Sequence, residues 1–147
     1  MRNYIFNKIV STKISRSTLY KKIRNETGTK VFEMIESLDC VGGIINNSPH
    51  DSIVYIYRLN ELGVSTNKVI DIIKLSKNSC AHFVLLLYIR LSKDFKEHYS
   101  FFRTYLKEYK KILIANDQKW EYFDVLVDDL LEKKYFHGIY LPEYFEL

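Results

Sequence analysis

Turn-forming residues are scarce in this chain. Five glycines and two prolines among 147 residues are too few for a sandwich of short strands, which needs turn residues roughly every ten positions. Cysteine is almost missing: Cys40 and Cys80 are the only two. Two isolated thiols make neither a disulfide framework nor a zinc site, and they suit a reducing compartment. Long apolar runs are missing too. The longest, Phe83 to Ile89, is far too short to span a bilayer, and the opening Met1-Arg2-Asn3 lacks the apolar core of a signal peptide. The sequence predicts a soluble, intracellular protein.

Signatures of chemistry are absent as well. The histidines His50, His82, His98 and His137 do not stand at metal-ligand spacing from Cys or Glu, and no HExxH or CxxC occurs. There is no GxSxG, Walker or GxGxxG pattern. Asp128 and Asp129 could serve as acid and base, but an acidic outer face on an amphipathic helix is far more often simply solvated. The expectation is no enzyme, no metal and no cofactor.

What is there is core material: 47% hydrophobic and 15% aromatic residues, with 27% charged. That composition argues against disorder and supports one all-α, multi-helix domain over 1–147. Apolar spacing predicts a short first helix from Tyr4, Ile5, Ile9 and Val10, then a second over 17–25 with Leu19, Tyr20 and Ile23 inward. Thr29 is the expected cap of a third helix (Val31, Met34, Ile35, Leu38), stopped at Gly42-Gly43 by a left-handed backbone. Ser48 as cap and Pro49 at the first position start a fourth, with Asp51 at the dipole's positive end; Ile53, Ile56, Tyr57 and Leu59 face inward and Gly63 ends it. Ser65 or Thr66 caps a fifth bearing Val69, Ile70, Ile72 and Ile73.

The helix over 79–92 is apolar nearly all round and belongs in the middle of the bundle. Asp94 is expected to cap the longest helix, running to about Ala115, with Tyr99, Phe102, Tyr105, Leu106, Tyr109, Ile112 and Leu113 inward. Residues 117–123 read as a loop or small hairpin. A last helix over 124–133 buries Leu126, Val127, Leu130 and Leu131, and the aromatic tail from Tyr135 lies extended. Arg90, inside an apolar helix, needs a carboxylate or carbonyl partner; an ion pair with Asp124 or Asp128 is the expectation.

Charge is uneven. Residues 1–30 carry an excess of +7, residues 68–111 an excess of +6, and residues 117–147 a deficit of −5. Such asymmetry points to a charged partner, RNA phosphate or a protein segment, weighed against ordinary variation among solvated helix faces. The aromatics Tyr99, Tyr105 and Tyr109 fall on the apolar stripe and so are expected inward, which leaves only phosphate or acidic-partner contact by Lys107, Lys110 and Lys111.

Four ordered segments go further. They are NYIFNKIVSTKI with the later Val41-Gly42-Gly43; Tyr88-Ile89-Arg90-Leu91-Ser92; Tyr99 with Tyr109-Lys110-Lys111; and FDVLVDDLLEKKYFHGIYLPEY over 123–144, with Asp124, Asp128, Leu130, Leu131, Leu141 and Pro142 at matching positions. Each is weak alone, but in this order and spacing they resemble the N-terminal domain of the pre-mRNA-splicing factor 38 family over about 3–144. The chain departs from that family in reading IINNSPHD where a glycine-rich loop leads to prolines, in Thr104 where a mid-helix proline stands, in Ser76-Lys77-Asn78 where the turn is acidic, and in lacking a long charged tail. The resemblance implies a nuclear, non-catalytic scaffold, monomeric on its own and associated with the tri-snRNP. It would act as the precatalytic spliceosome matures, docking a zinc-finger splicing protein and a helical segment of another factor. Gly42, Gly43, Tyr88, Arg90, Tyr99, Tyr109, Asp124, Asp128, Leu141 and Pro142 are the positions it marks as structural or partner-docking. Direct RNA binding is the alternative.

Overall fold

Helix starts are set by polar caps. Asn7, Ser17, Thr27, His50, Ser65 and Asn78 each accept a backbone N–H from the first turn that follows. The helices they open are α1 (Lys8–Ser15), α2 (Thr18–Ile23), α3 (Gly28–Glu36), α4 (Asp51–Glu61), α5 (Thr66–Leu75) and α6 (Ser79–Leu91). A 3-10 turn (Phe95–His98), the short α7 (Tyr99–Arg103) and α8 (Phe123–Glu132) complete the helical set. The computed structural model describes residues 5–106 and 108–143; Tyr4, Lys107 and Tyr144 lie outside the described residues. Among the described residues, no helix is long and apolar enough to cross a membrane.

Three two-stranded antiparallel sheets correct the all-α expectation: β1 (Ile44–Ile45) with β2 (Ser48–Pro49), β3 (Lys111–Ile114) with β4 (Lys119–Tyr122), and β5 (Tyr135–Phe136) with β6 (Ile139–Tyr140). Helix remains the dominant structure. Several boundaries move. Thr27, not Thr29, caps α3. Ser48 and Pro49 are strand, and His50 caps α4 through Nδ1, 3.1 Å from the Ser52 amide. Starting α1 at Lys8 turns Val10 and Ile14 inward and leaves Ile9 68% exposed.

The expected long helix does not form. Helix α7 stops at Arg103, and Lys111 to Ile114 alternate outward and inward, burying Ile112 and Ile114 as a strand does. Lys111 faces Tyr122 and Ile114 faces Lys119 across the hairpin, whose turn places Gln118 at φ +57°. Val41 then bridges to the outer edge of β3: its amide donates to the Leu113 carbonyl (3.0 Å), and the Ala115 amide donates to the Val41 carbonyl (2.8 Å). This long-range pairing outweighs local helix propensity. Of the loop or small hairpin expected over 117–123, these residues supply the turn and second strand of a hairpin whose first strand falls in the expected long helix, while the tail forms the β5–β6 hairpin rather than lying extended.

Gly42 and Gly43 do not end a helix, and neither has a positive φ. Their role is close approach. A Cβ on Gly43 would stand 2.2 Å from the His137 carbonyl oxygen, and one on Gly42 would stand 3.0 Å from Asn116 Oδ1. The Asn116 amide clips this segment from both sides, accepting from the Gly43 amide (3.0 Å) and donating to the Ile44 carbonyl (2.8 Å). The two small hairpins turn on Asn46-Asn47 and His137-Gly138, all four at positive φ as type I′ turns require.

At the centre lies α6, buried along Phe83 to Leu91 and packed against α3, α4, α5, α8 and β3. Two glycines make a test of this account. Gly43→Ala, forced against backbone, is expected to lower unfolding free energy by at least about 2 kcal/mol in urea. Gly63→Ala, at φ +66° but with open space around it, should cost only about 1 kcal/mol. Equal losses would contradict the close-approach assignment.

Candidate protein-docking groove

Helices α3 and α5 each use one face for the core and leave another apolar. On α5, Val69 and Ile73 are buried, while Lys68, Ile72 and Leu75 follow one another at helical spacing on the outer side. On α3, Val31 and Ile35 are buried, while Phe32, Glu33 and Glu36 look across toward α5. Between them runs an open groove of about 810 Å³ with Phe32, Val64 and Ile72 in its lining. Leu75, 79% exposed, stands at its mouth. The α3 rim is acidic, and the α5 rim carries Lys68 with Lys77 beyond it.

Both ends of the groove are fixed. At one end, the Glu36 carboxylate accepts from the Ser76 hydroxyl (2.5 Å) and the Lys77 amide (3.3 Å), and the Asn78 side-chain amide donates to the Glu36 and Leu38 carbonyls (2.8 Å each). So the departure at Ser76-Lys77-Asn78 is a built staple between α5 and α3. At the other, α3 starts at Gly28 beside Leu62 and Val64, and the Tyr88 hydroxyl donates to the Val64 carbonyl (2.6 Å). Burial pushes the Tyr88 phenol up to about 12, with the nearby Asp94 carboxylate adding to it, so it stays a neutral donor.

The residues marked in the sequence do not gather in this groove. Gly42, Gly43, Tyr88, Arg90 and Leu141 are buried. Arg90 is 3% exposed; its Nε donates to the Leu130 carbonyl (2.6 Å), its Nη1 to the Pro142 carbonyl (2.5 Å), and its guanidinium lies 4.6 Å from the Phe95 ring centre. Leu130 is in the last turn of α8, where carbonyls lack helical partners and the dipole is negative. Backbone carbonyls therefore take the place of the expected Asp124 or Asp128: Asp128 is exposed, and Asp124 keeps a buried Oδ1 without a hydrogen-bond partner among the described residues. Tyr99 packs edge-on against Phe95. Tyr109, expected inward, is 74% exposed.

Two clusters of reactive groups form that the linear spacing did not reveal. Cys40 Sγ lies 3.4 Å from His50 Nε2. Burial pushes the Cys40 thiol up and His50 down, and burial likewise raises Cys80 to about 11, which keeps the thiols protonated and poor as nucleophiles. Asp94, Glu97 and His98 place ligand-type atoms within 4.8 Å of one another. Asp94 and His98 both bond the Thr66 hydroxyl, at 2.5 and 2.9 Å, and Ser92 adds a bond to Asp94 at 2.7 Å; the arrangement ties the start of α5 to the turn after α6. Burial works to raise Asp94, but the Thr66 and Ser92 bonds, its own backbone amide and His98 bring it below the usual carboxylate range.

The comparisons with known proteins agree with one another. The profile of the PRP38 family matches residues 1–146. The chain belongs to the PRP38 family. Its fold is similar to that seen in the crystal structure of the Snu23-Prp38-MFAP1(217-258) complex of Chaetomium thermophilum, with a TM-score of 0.87 at 20% identity over 97% of this chain and 77% of that one. No curated protein sequence matches it.

Within this PRP38-family chain, sequence reasoning did not mark the groove: Phe32 and Leu75 were not singled out, and Ile72 was counted only among the apolar residues of its helix. A signal existed: α5 holds Val69, Ile70, Ile72, Ile73 and Leu75, more apolar residues than one buried stripe can absorb. Two outcomes check the geometry. Arg90→Ala is expected to cost about 3 kcal/mol of stability in urea, because two buried carbonyls lose a charged donor; Arg90→Lys should recover little of it, since one ammonium is a poor match for two separate acceptors. For Asp94, a depressed folded pKa gives stability present above the unfolded value and lost as pH falls through the folded one. Thr66→Val should therefore cost more stability near neutral pH than in strong acid, by urea titration at both.

Proposed function

We propose that this chain is a non-catalytic scaffold of the spliceosome, and that it works by docking other splicing proteins. The observation that carries the reading is membership of the PRP38 family over nearly the whole chain. It is supported by the fold's likeness to a protein crystallised with two partners, Snu23 and a 42-residue span of MFAP1. On this reading the protein is nuclear, associates with the tri-snRNP as the precatalytic complex matures, and engages a zinc-finger splicing protein and a helical segment of another factor. Its contribution to splicing is to place partners, with no turnover of RNA or nucleotide.

The α3/α5 groove is the surface that suits a helical segment. Phe32, Val64 and Ile72 offer an apolar lining, and the fixed ends mean that little ordering is lost on binding. An amphipathic helix would lay its apolar stripe into this groove. The rims ask for basic residues on the flank over Glu33 and acidic residues on the flank over Lys68.

Leu75→Asp tests this directly. Leu75 is largely exposed, so the melting temperature should hold. Affinity for a helical peptide equivalent to the MFAP1 segment should fall about tenfold or more, the worth of one buried leucine replaced by a charge. Unchanged affinity would move the docking site elsewhere. Affinity purification of the tagged protein from its own cells should recover tri-snRNP proteins and spliceosomal small nuclear RNAs; recovery of neither, from cells that splice, would remove the scaffold reading.

A further inference from the structure

The two walls of the groove run in the same direction. Gly28, which opens α3, lies beside Leu62 and Val64, just before Ser65 caps α5. At the far end Glu36, the last residue of α3, holds the Ser76 hydroxyl and the Lys77 amide just past the end of α5. Start meets start and end meets end. Parallel helices add their dipoles, so both positive ends lie at the Gly28–Ser65 end of the groove. Neither helix has an acidic residue in its first turn, and Lys68 stands there on the α5 rim. The two carboxylates in the lining, Glu33 and Glu36, belong to the later turns of α3. At the far end charge is balanced, because Lys77 stands by Glu36 and Lys74 occupies the last turn of α5. The ten residues of α5 rise about 15 Å, which is room for roughly three turns of a partner.

We infer that the groove takes an amphipathic helix of about three turns that runs opposite to α3 and α5, with its last turn over Gly28 and Ser65 and a carboxylate there facing Lys68. The inference deepens the docking reading of this groove and rests on it. Shape alone does not choose a direction, since Phe32, Val64 and Ile72 would take a leucine stripe either way round. Charge does. An antiparallel helix brings its negative end, with the last carbonyls that lack helical partners, to the positive end of the groove. A parallel one would set its positive end beside two others. Extended peptides suit the groove less well. Strand addition needs an open sheet edge, and both walls here are helices; a proline-rich segment asks for an aromatic lining, and Phe32 is the single ring among the described lining residues.

The probe is a synthetic helix of about twelve residues, stapled on its outer face and blocked at both ends. It carries a leucine stripe, one glutamate in its last turn and no other charge. A nitroxide at its C-terminal end should broaden the amide signals of Gly28 and Ser65 in the whole chain, and one at its N-terminal end those of Ser76 and Lys77. The reverse pattern would overturn the direction and leave the groove reading standing. Broadening confined to residues outside the groove, or no binding, would remove the groove reading and this inference with it. Lys68→Glu should weaken the peptide about fivefold at low salt, a difference that shrinks as salt rises, whereas Lys77→Glu should change affinity by less than about twofold. Both lysines are exposed, so the melting temperature should hold in each variant. Equal losses would contradict the placing of the helix end over Lys68.

Discussion

The guanidinium of Arg90 is the point on which the C-terminal half of this fold depends. It sits near the end of α6, the most buried helix, and donates to a carbonyl at the end of α8 and another in the tail. The two acceptors lie 40 and 52 residues along the chain from Arg90, so one side chain closes loops that apolar packing alone would leave to slide. A leucine at this position would add area to the core but could not specify which turn of α8 lies over α6. Among the described residues, oriented carbonyl dipoles and the Phe95 ring alongside help make the charge tolerable.

A second constraint is steric and concerns backbone rather than side chains. Gly42 to Ile44, the turn after β3 and the His137-Gly138 turn all meet at one place, where the Ile44 amide donates to the His137 carbonyl at 2.8 Å. Three loops converge this closely because Gly42, Gly43 and Gly138 lack a Cβ. Gly138 makes the same statement from the other side, since a Cβ on it would stand 3.1 Å from that of Ile44. The glycines that looked like helix terminators are thus spacers, and Asn116 supplies the hydrogen bonds that the crossing backbones leave open.

Helices with a clear stripe and a polar cap were readable in the sequence. Ser17, Ser65 and the Gly63 stop fall where expected, and the all-round apolar character of α6 correctly put it in the centre. What could not be read depended on partners far along the chain. Lys111-Ile112-Leu113-Ile114 fits a helical stripe and a strand alternation about equally well, and only the pairing with Lys119–Tyr122 and the bridge to Val41 decide between them. Ser48-Pro49 likewise carries a plausible helix start, yet the Asn46-Asn47 turn folds it back onto Ile44-Ile45. Of the ten positions that the resemblance marks, five are buried, three half-buried and two exposed, so they do not gather on one surface. The apolar excess on α5 was visible, but without the structure it could not be separated from core.

That division between interior and surface bears on how the proposed scaffold would act. With α6 enclosed by α3, α4, α5, α8 and β3, the surfaces open to a partner are outer faces of the peripheral elements. The α3/α5 groove is an apolar trough with opposed charges on its rims, and the β3–β4 hairpin, which shares no residue with it, exposes Trp120 and Tyr122. Both stand on elements packed against the same buried helix. Two partners docked on these surfaces would be held at a separation set by the packing around α6. Occupying one should then leave the intrinsic affinity of the other unchanged, which is the behaviour of a platform rather than of a switch.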